Sequence, residues 1–248
     1  MNSGNTKRPY QSLRLALTLL LMTVGSIAML LIALLTAFQA RSLYSEVIAA
    51  RLGRWVLRLW GIRMVVHNAP IDASEQRVFI SNHTSTLDVF VLIALALPNT
   101  RFFMSGFLRK FPPLAIIGYL IGIIWTVPQT FPERRVRIFQ RAERLLRKTG
   151  ESVYLSPEGR RVPGGELGAF NKGSFHLATV LRAPIVPFFI AIPPQVDPGM
   201  GFNAGAGQVD VYFKPAIDTS DWQLADLVAN KERVRSRFLE WNHEHRFG

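Results

Sequence analysis

The sequence predicts a membrane anchor followed by a single α/β domain. Near its start the chain has an apolar run without a charged residue, and after Gly61 short β-rich runs alternate with helical stretches. Such alternation is typical of α/β domains. With 248 residues, 49% of them hydrophobic, the chain can form one large core and is too apolar for disorder. No repeat or low-complexity linker divides it, so we expect an anchor at 1–62 and one domain at 63–248.

The apolar run extends from Leu15 to Phe38, twenty-four residues without a charge. As a helix it would measure about 36 Å, against roughly 30 Å for the hydrocarbon core of a bilayer, so it can span a membrane with some tilt. A cleaved signal peptide is the alternative, because Lys7 and Arg8 precede the run, although the apolar core of such a peptide has only about 7 to 15 residues. Basic residues after the run outnumber those before it, which indicates a cytoplasmic body. We therefore expect a bacterial inner-membrane protein with a cytoplasmic active site.

A second helix is predicted directly after the span, from Leu43 to Trp60. Apolar residues recur there at steps of three and four, and Arg51, Arg54 and Arg58 repeat at the same spacing on another face. A basic amphipathic helix beside a span is typical of the membrane interface, and we favour this interpretation. The alternative is a core helix whose polar side is rich in arginine.

The elements of the domain follow from periodicity. Short β-rich runs predict strands at 63–67, 77–80, 152–155, 185–192 and 208–213. Helical patterns predict helices at 87–97, 133–149, 173–181 and 221–245. The segment from Phe111 to Val127 has no charge and, at seventeen residues, is short for a span. We expect it to dip into the membrane interface, with a plain core segment as the alternative.

The composition and the absence of several motifs exclude some kinds of reaction and binding site. The net charge of +12 and the isoelectric point near 10.8 imply an anionic partner such as nucleic acid, anionic lipid or a phosphorylated substrate. The chain has no cysteine, which excludes disulfides, thiolate nucleophiles and Cys-ligated metals. The G-x-S-x-G, P-loop, H-E-x-x-H and G-x-G-x-x-G motifs are absent from the sequence. His243 and His245 have no third ligand beside them in the sequence, so we expect no metal and no cofactor.

The sharpest local feature is the sequence SNHTSTLD, between a predicted strand and an apolar helix. Its His83 and Asp88 are five residues apart, about 140° around a continuous helix, so they can pair only if His83 lies in the turn before the helix. In such a turn Asp88 can orient the imidazole, whose other nitrogen then takes a proton from a hydroxyl. The alternative is structural, because Ser85 and Asp88 also fit the S-x-x-D capping pattern.

A second cluster, SPEGRR, directly follows another predicted strand. Arg160 and Arg161 beside Gly159 suit a phosphate, because guanidinium groups bind phosphate in a fork geometry and glycine lets the backbone approach closely. Glu158 can hold one of the arginines or accept a hydrogen bond from a substrate hydroxyl. Lys172, just before the next predicted helix, supplies another cation near an anion-binding N-terminus. The alternative is a surface turn with a solvated ion pair.

Taken together, NHTSTLD, then PEGRR about seventy residues later, then APIVP resemble the motifs of the glycerolipid acyltransferases, the family that includes 1-acylglycerol-3-phosphate acyltransferases. The resemblance extends from Val78 to Pro187. It implies a single acyltransferase domain with a mixed central sheet flanked by helices. It also implies a membrane-bound enzyme that needs no metal, takes the acyl group from acyl-CoA or acyl carrier protein, and passes it to a lyso-lipid.

The resemblance assigns roles to individual residues. In the family, the histidine of the H-x4-D motif is the general base on the acceptor hydroxyl and the aspartate orients it, which implies these roles for His83 and Asp88. The E-G-x-R block binds the acceptor phosphate, which implies this role for Glu158, Gly159 and Arg161. The donor is a thioester, so the resemblance implies no covalent enzyme intermediate.

The second block of the family is altered in this sequence. Leu108, Pro112 and Gly122 match it, but Ser105 stands where a lysine is usual and Pro128 falls near the position of an arginine. Those cations help to grip the acceptor head group in relatives. The acceptor is therefore expected to be 1-acylglycerol-3-phosphate, which would give phosphatidic acid, with another lyso-lipid such as a lyso-ornithine lipid as the alternative.

A lipid-binding protein and a nucleic-acid-binding protein are the alternatives to an enzyme. A membrane-anchored lipid-binding protein that has lost catalysis is disfavoured by the intact histidine, aspartate and glutamate of the motifs. Nucleic acid is not an expected partner, because the basic residues follow membrane-adjacent helices and do not alternate with exposed aromatic residues.

Overall fold

The computed structural model describes residues 10–69, 75–162, 166–197 and 204–246. Its strands are β1 (Ile62–His67), β2 (Val78–Ser81), β3 (Thr100–Ser105), β4 (Ile124–Thr126), β5 (Ser152–Tyr154), β6 (Ile185–Ala191) and β7 (Gly207–Phe213). They form one seven-stranded sheet in the order β1-β7-β6-β2-β5-β3-β4. Only β6 and β7 run antiparallel among the described pairings, so the sheet is mixed, as predicted.

Helices cover both faces of the sheet. They are α1 (Gln11–Leu35), α2 (Ala50–Leu59), α3 (Asp88–Ala94), α4 (Pro112–Leu120), α5 (Pro132–Thr149), α6 (Gly173–Leu181) and α7 (Leu227–Arg246). The first four share a hydrophobic core with one face, and the last three share a second core with the other. Alternate residues of β2 divide accordingly, since Phe79 joins the first core and Val78 and Ile80 join the second. The fold is a three-layer α/β arrangement, which confirms the predicted class.

The predicted strands and helices are present, but the sequence patterns did not predict β3 and β4, which pair at one edge of the sheet. The segment from Phe111 to Val127 forms α4, a turn and β4, and its contact with a membrane interface stays a prediction. Gly122 makes this turn with a left-handed φ of +76°. Burial of Ile117 and Leu120 against the sheet layer fits the core alternative better.

Helix α1 corresponds to the predicted anchor. Of the helices in the described ranges, it alone is long and apolar enough to cross a membrane, by length and composition. One side packs on α4 and α2, where Gly25 leaves room for the side chain of Leu52. The other side exposes a stripe of large apolar side chains, namely Leu13, Leu17, Leu20, Val24, Ile27, Leu31, Leu34 and Leu35. Such a stripe is typical of contact with lipid.

Helix α2 continues from a π-helical stretch at Leu43–Ala49. Its apolar side, which includes Leu52 and Val56, is buried in the core beside α3. The arginines at 51, 54 and 58 lie on the exposed side. The packing matches the core-helix alternative for this segment, while the exposed cations retain the amphipathic pattern.

A buried ion cluster ties the end of the anchor to the sheet. The carboxylate of Glu151, just before β5, pairs with Arg101 on β3 and with Arg41, which lies between α1 and α2. Arg41 also donates to Oδ1 of Asn99 at 3.0 Å. Burial alone would raise the pKa of Glu151. Hydrogen bonds from Arg101 and Thr149 and the charge of Arg41 outweigh burial, so this pKa lies below its usual value.

Removal of the Glu151 carboxylate should destabilise the fold, because Arg41 and Arg101 would then lose their shared anion. We expect Glu151→Ala to lower the free energy of unfolding by about 3 kcal/mol, the scale for breaking a buried pair. Glu143→Ala is the control, since this partly exposed residue pairs with Arg147 along α5 and should cost at most about 0.5 kcal/mol. Thermal unfolding in detergent measures both variants.

A comparison of the wild type with Glu151→Ala also tests how the contribution of Glu151 depends on pH. A carboxylate whose pKa is lowered by folding stabilises the protein at neutral pH, and this contribution disappears as the pH falls through the lowered pKa. The difference in midpoint between the wild type and Glu151→Ala should therefore shrink in acid. A difference that is constant from neutral to acidic pH, or equal midpoints for both variants, would contradict the ionic role of Glu151.

Candidate active site

The loop after β2 is fixed to the sheet before it reaches His83. Ser81, the last residue of β2, lies 3.0 Å from the hydroxyl of Tyr154 on β5. Burial raises the pKa of this phenol well above its usual value, so Tyr154 stays neutral. The buried side chain of Asn82 then donates to the carbonyl of Ile190 at 2.9 Å and accepts its N–H at 2.8 Å. The chain therefore leaves the sheet in one defined direction.

His83 lies in the turn between β2 and α3 and pairs with Asp88, the first residue of α3. Its Nδ1 is 2.7 Å from Oδ2 of Asp88. The carboxylate side chain is 1% exposed and the imidazole 28% exposed. Because an ionised carboxylate only accepts hydrogen bonds, Nδ1 carries the proton and Nε2 keeps a free lone pair. The turn that the spacing requires is present, and the catalytic role stays a prediction.

The capping alternative is present only in part, because Leu87 and not Ser85 is the N-cap of α3, and Asp88 is its first residue and not its third. Oδ2 of Asp88 also accepts the backbone N–H groups of Thr84 at 2.9 Å and Ser85 at 3.1 Å. Ser85 in turn accepts the N–H of Leu87 at 2.8 Å and donates to Asp197. Asp88 therefore shapes the turn and orients the imidazole at once, so the two interpretations of the motif do not exclude each other.

Glu158 joins the second predicted cluster to the first. Its Oε1 accepts the N–H of His83 and its Oε2 the N–H of Gly168, each at 2.8 Å. Val162 donates its N–H to the carbonyl of His83, also at 2.8 Å. Burial raises the pKa of Glu158 against the lowering effect of these backbone donors. Glu158 is buried with one backbone donor on each oxygen, so it positions the two loops, and its contact with an arginine or a substrate hydroxyl stays a prediction.

The two arginines of the second cluster are exposed. Nη1 of Arg161 donates to the hydroxyl of Thr86, which lies in the turn between His83 and α3. Arg160 precedes it and follows Gly159, whose φ of +63° reverses the chain. A guanidinium held beside the His83 turn and open to solvent can bind an anionic group there.

Lys172 is brought to the same region by its neighbour. Nδ2 of Asn171 donates to the carbonyl of Glu158 at 2.8 Å, and Lys172 is exposed just before α6. The sequence did not single out Gln129, which comes from the loop after β4. Its Nε2 would stand 3.2 Å from a Cβ at Gly159. Only the tertiary structure brings this amide to the site.

Two apolar pockets adjoin α3. The larger, about 450 Å³ including its mouth, lies among α1, α2, α3 and α4 and is lined by Val89 and Phe90, the residues that follow Asp88. The predicted apolar segment from 111 to 127 supplies much of its remaining wall. The smaller, about 310 Å³, lies between α1 and the turn that holds Thr86, and Phe90 lines it as well. Their apolar lining suits contact with an aliphatic chain.

Comparison with known proteins extends the motif resemblance. The sequence model of the Acyltransferase family matches residues 63–191. A chloroplastic 1-acyl-sn-glycerol-3-phosphate acyltransferase from Brassica napus is 31% identical over 160 residues, 62% of this chain and 44% of the relative. One from Arabidopsis thaliana is 30% identical over 173 residues, 68% of this chain and 46% of the relative. The chain thus spans less than half the length of these two curated relatives.

Among solved structures, the 1-acyl-sn-glycerophosphate acyltransferase PlsC from Thermotoga maritima is similar. The match has a TM-score of 0.74 and covers 96% of this chain and 99% of that one, at 20% sequence identity. At that identity the likeness shows the fold alone, including the three-layer arrangement described above.

Two glycines allow the packing of the second cluster to be tested. Gly159 and Gly150 have similar left-handed φ angles of 63° and 67°. A Cβ at Gly159 would stand 2.7 Å from Nδ2 of Asn171, whereas a Cβ at Gly150 would meet nothing within 4 Å. Gly150→Ala should cost about 1 kcal/mol of backbone strain. Gly159→Ala should cost about 2 to 3 kcal/mol, because it also displaces the amide of Asn171.

Thermal unfolding of the two variants measures this difference. Hydrogen exchange adds a local readout, since Gly159→Ala should reduce the protection of the His83 amide, which donates to Glu158. Equal destabilisation by the two substitutions would show that the turn does not depend on Asn171.

Proposed function

Because this chain belongs to the acyltransferase family, we propose that it is a membrane-bound O-acyltransferase that moves a fatty acyl group from a thioester donor to the hydroxyl of a lyso-lipid. The donor is acyl-CoA or acyl carrier protein. The acceptor is 1-acylglycerol-3-phosphate, which appears in the names of the curated relatives, and the product is phosphatidic acid. The observation that carries the proposal is the pair of His83 and Asp88 in an accessible turn beside Arg161.

The geometry of this pair supports general base catalysis. Nε2 of His83 takes the proton of the acceptor hydroxyl as its oxygen attacks the carbonyl carbon of the thioester. The new C–O bond creates a tetrahedral oxyanion, whose collapse breaks the C–S bond. The departing thiolate then receives the proton from the imidazolium. Asp88 holds Nδ1 throughout and stabilises the positive ring, so no covalent enzyme intermediate is needed.

Exposed cations around the turn support binding of the acceptor phosphate. Arg161 is placed by Thr86 next to the His83 turn, and Arg160 and Lys172 add positive charge on the same side. Guanidinium groups bind phosphate oxygens in a bidentate manner, which also orients the head group. Phosphate at Arg161 would leave the free hydroxyl of the lyso-lipid close to the imidazole.

The apolar elements support a membrane location and a place for the acyl chain. The exposed stripe on α1 would lie in the lipid, and the larger pocket begins between this helix and α3. In this arrangement an acyl chain leaves the bilayer beside α1 and enters the pocket without crossing water. The excess of basic residues after α1 supports a catalytic domain on the cytoplasmic side of the membrane, and we propose a bacterial inner membrane as its location.

A second acceptor is favoured by one specific observation. Ser105 and Pro128 occupy the two positions where the family's second block carries cations. Ser105 caps the short helical turn that follows β3 by accepting the N–H of Phe107 at 3.3 Å, so it has a structural role in place of a charge. An enzyme with fewer cations at this place suits a lyso-lipid with another head group, such as a lyso-ornithine lipid.

His83→Ala should lower kcat by about 10²- to 10⁴-fold, because the hydroxyl would lose its base. The fold should be retained, since the imidazole is partly exposed. Asp88→Asn should lower kcat and the melting temperature together, because Asp88 also holds the turn. Transfer of a labelled palmitoyl group from its thioester to 1-acylglycerol-3-phosphate measures turnover. Near-normal turnover of His83→Ala would reject the assignment of the base.

Arg161→Ala should chiefly raise KM for a phosphate-bearing acceptor. Arg63→Ala is a matched control, because Arg63 is an exposed arginine on β1, at the far edge of the sheet. A panel of lyso-lipids then separates the two acceptors. Product with 1-acylglycerol-3-phosphate supports the first proposal, product only with a lyso-ornithine lipid supports the second, and an unchanged KM in Arg161→Ala would move the phosphate site elsewhere.

A further inference from the structure

The outer side of α5 carries a row of five basic side chains, which we call the basic stripe. Its members are Arg134, Arg137, Arg141, Arg144 and Lys148, and all five are exposed. They follow one another at steps of three and four residues, so they fall within an arc of about 80° around the helix. Along the helix axis the stripe extends about 21 Å.

No acidic residue of α5 lies within the basic stripe. Glu133, in the first turn, lies about 20° outside the arc of the stripe and four residues before Arg137, so one carboxylate stands beside the start of the row, whereas Glu143 lies about 100° outside the arc. Glu143 is engaged by Arg147 at 3.1 Å and by His176 at 3.7 Å. Exposed helices more often mix both signs of charge, which limits repulsion between neighbours. The stripe is therefore a positive surface that its own helix does not neutralise.

The basic stripe faces away from the anchor. The buried side of α5, with Ala142 and Leu146, packs on the sheet face opposite the one covered by α1 to α4. The sheet thus lies between the stripe and the exposed apolar side of α1. Helices that lie on membranes also insert large apolar residues beside their cations. Within α5 only Val136 is a large exposed apolar residue, so the stripe suits a water-soluble anionic partner.

One end of the basic stripe lies at the candidate active site. Helix α5 begins just after the loop of Gln129, and Arg135 ties this start to the loop through the carbonyl of Val127 at 3.1 Å. Gln129 lies beside Gly159, and the adjacent Glu158 holds the N–H of the catalytic histidine. A partner that lies along α5 therefore has one end at the entrance to the site.

We propose that the basic stripe is the docking surface of an acidic carrier protein that delivers the acyl chain as a thioester on a flexible arm. The proposal rests on the proposed function and selects the protein-bound donor. A nucleotide thioester presents its charge at one compact end and would meet only part of a row this long. An acidic helix of a folded carrier can face all five cations, which speeds encounter and fixes the orientation of the partner.

The test compares two donors with the same chain, palmitoyl carrier protein and palmitoyl-CoA, on the full-length protein in detergent. Arg137→Glu/Arg141→Glu should raise KM for the carrier-bound donor by about 10-fold or more and change KM for palmitoyl-CoA by less than about twofold. Arg137→Lys/Arg141→Lys keeps the charge and should resemble the wild type. Arg63→Glu, on the far edge strand, should leave both KM values unchanged. Added salt should weaken the use of the carrier-bound donor more than the use of palmitoyl-CoA, whose phosphates salt also screens.

The remaining outcomes separate the rival explanations. An equal loss with both donors would overturn the proposal, because the stripe would then serve the fold or the acceptor. Unchanged donor kinetics with weaker binding to phosphatidylglycerol vesicles would also overturn it and assign the stripe to the membrane surface. A wild type that uses neither donor would refute the proposed function. Docking is then tested separately by calorimetric titration with palmitoyl carrier protein, and equal affinity of wild type and double glutamate variant would refute the docking surface.

Discussion

One oxygen atom, Oδ2 of Asp88, holds three donors at once: the imidazole of His83 and the backbone N–H groups of Thr84 and Ser85. A buried carboxylate is costly unless donors replace its water; the turn supplies three donors to Oδ2, while the buried Oδ1 has no hydrogen-bond partner among the described residues. The shape of the turn and the orientation of the ring are therefore consequences of one requirement. Glu158 repeats the principle a few residues away, because it is buried and uses backbone N–H groups from two loops. The chain has no cysteine to form a disulfide, and the hydrogen bonds of these two carboxylates hold the loops of the site together.

The sheet divides the molecule into two sides with different surroundings. The loops of the site follow β2 and β5, which run parallel, so both emerge at the carboxyl edge where open α/β sheets present their functional groups. On one side of the sheet, helix α1 exposes leucines to the surroundings, and on the other side helix α5 exposes arginines. A reaction between a lipid and a water-borne thioester needs both kinds of surface, and the edge between the two layers is where they meet.

Local sequence patterns were sufficient for every described helix except α4, for every described strand except β3 and β4, and for the possible pairing of His83 with Asp88, because strand alternation, helical periodicity and five-residue spacing act over short distances. They did not predict β3. In the sequence, Arg101 of this strand has the character of a surface residue, and only the tertiary structure pairs it with Glu151. The segment at 111–127 is apolar because it packs on α1 and the sheet layer and lines a pocket. An apolar composition alone does not distinguish a core segment from a membrane segment. The partners of Glu158 and the position of Gln129 depend on loops far apart in the chain, so no local pattern contains them.

The cluster of Arg41, Glu151 and Arg101 links the end of the anchor to the sheet at this edge. With α1 in the bilayer, the imidazole of His83 stands at a constant height above the lipid surface. Under the proposed function, such a protein would select its acceptor by geometry as well as by charge. A lipid reacts when its free hydroxyl rises to that height while its tail remains among its neighbours, and a head group that holds the hydroxyl too deep or too far out misses the base even when its phosphate is bound.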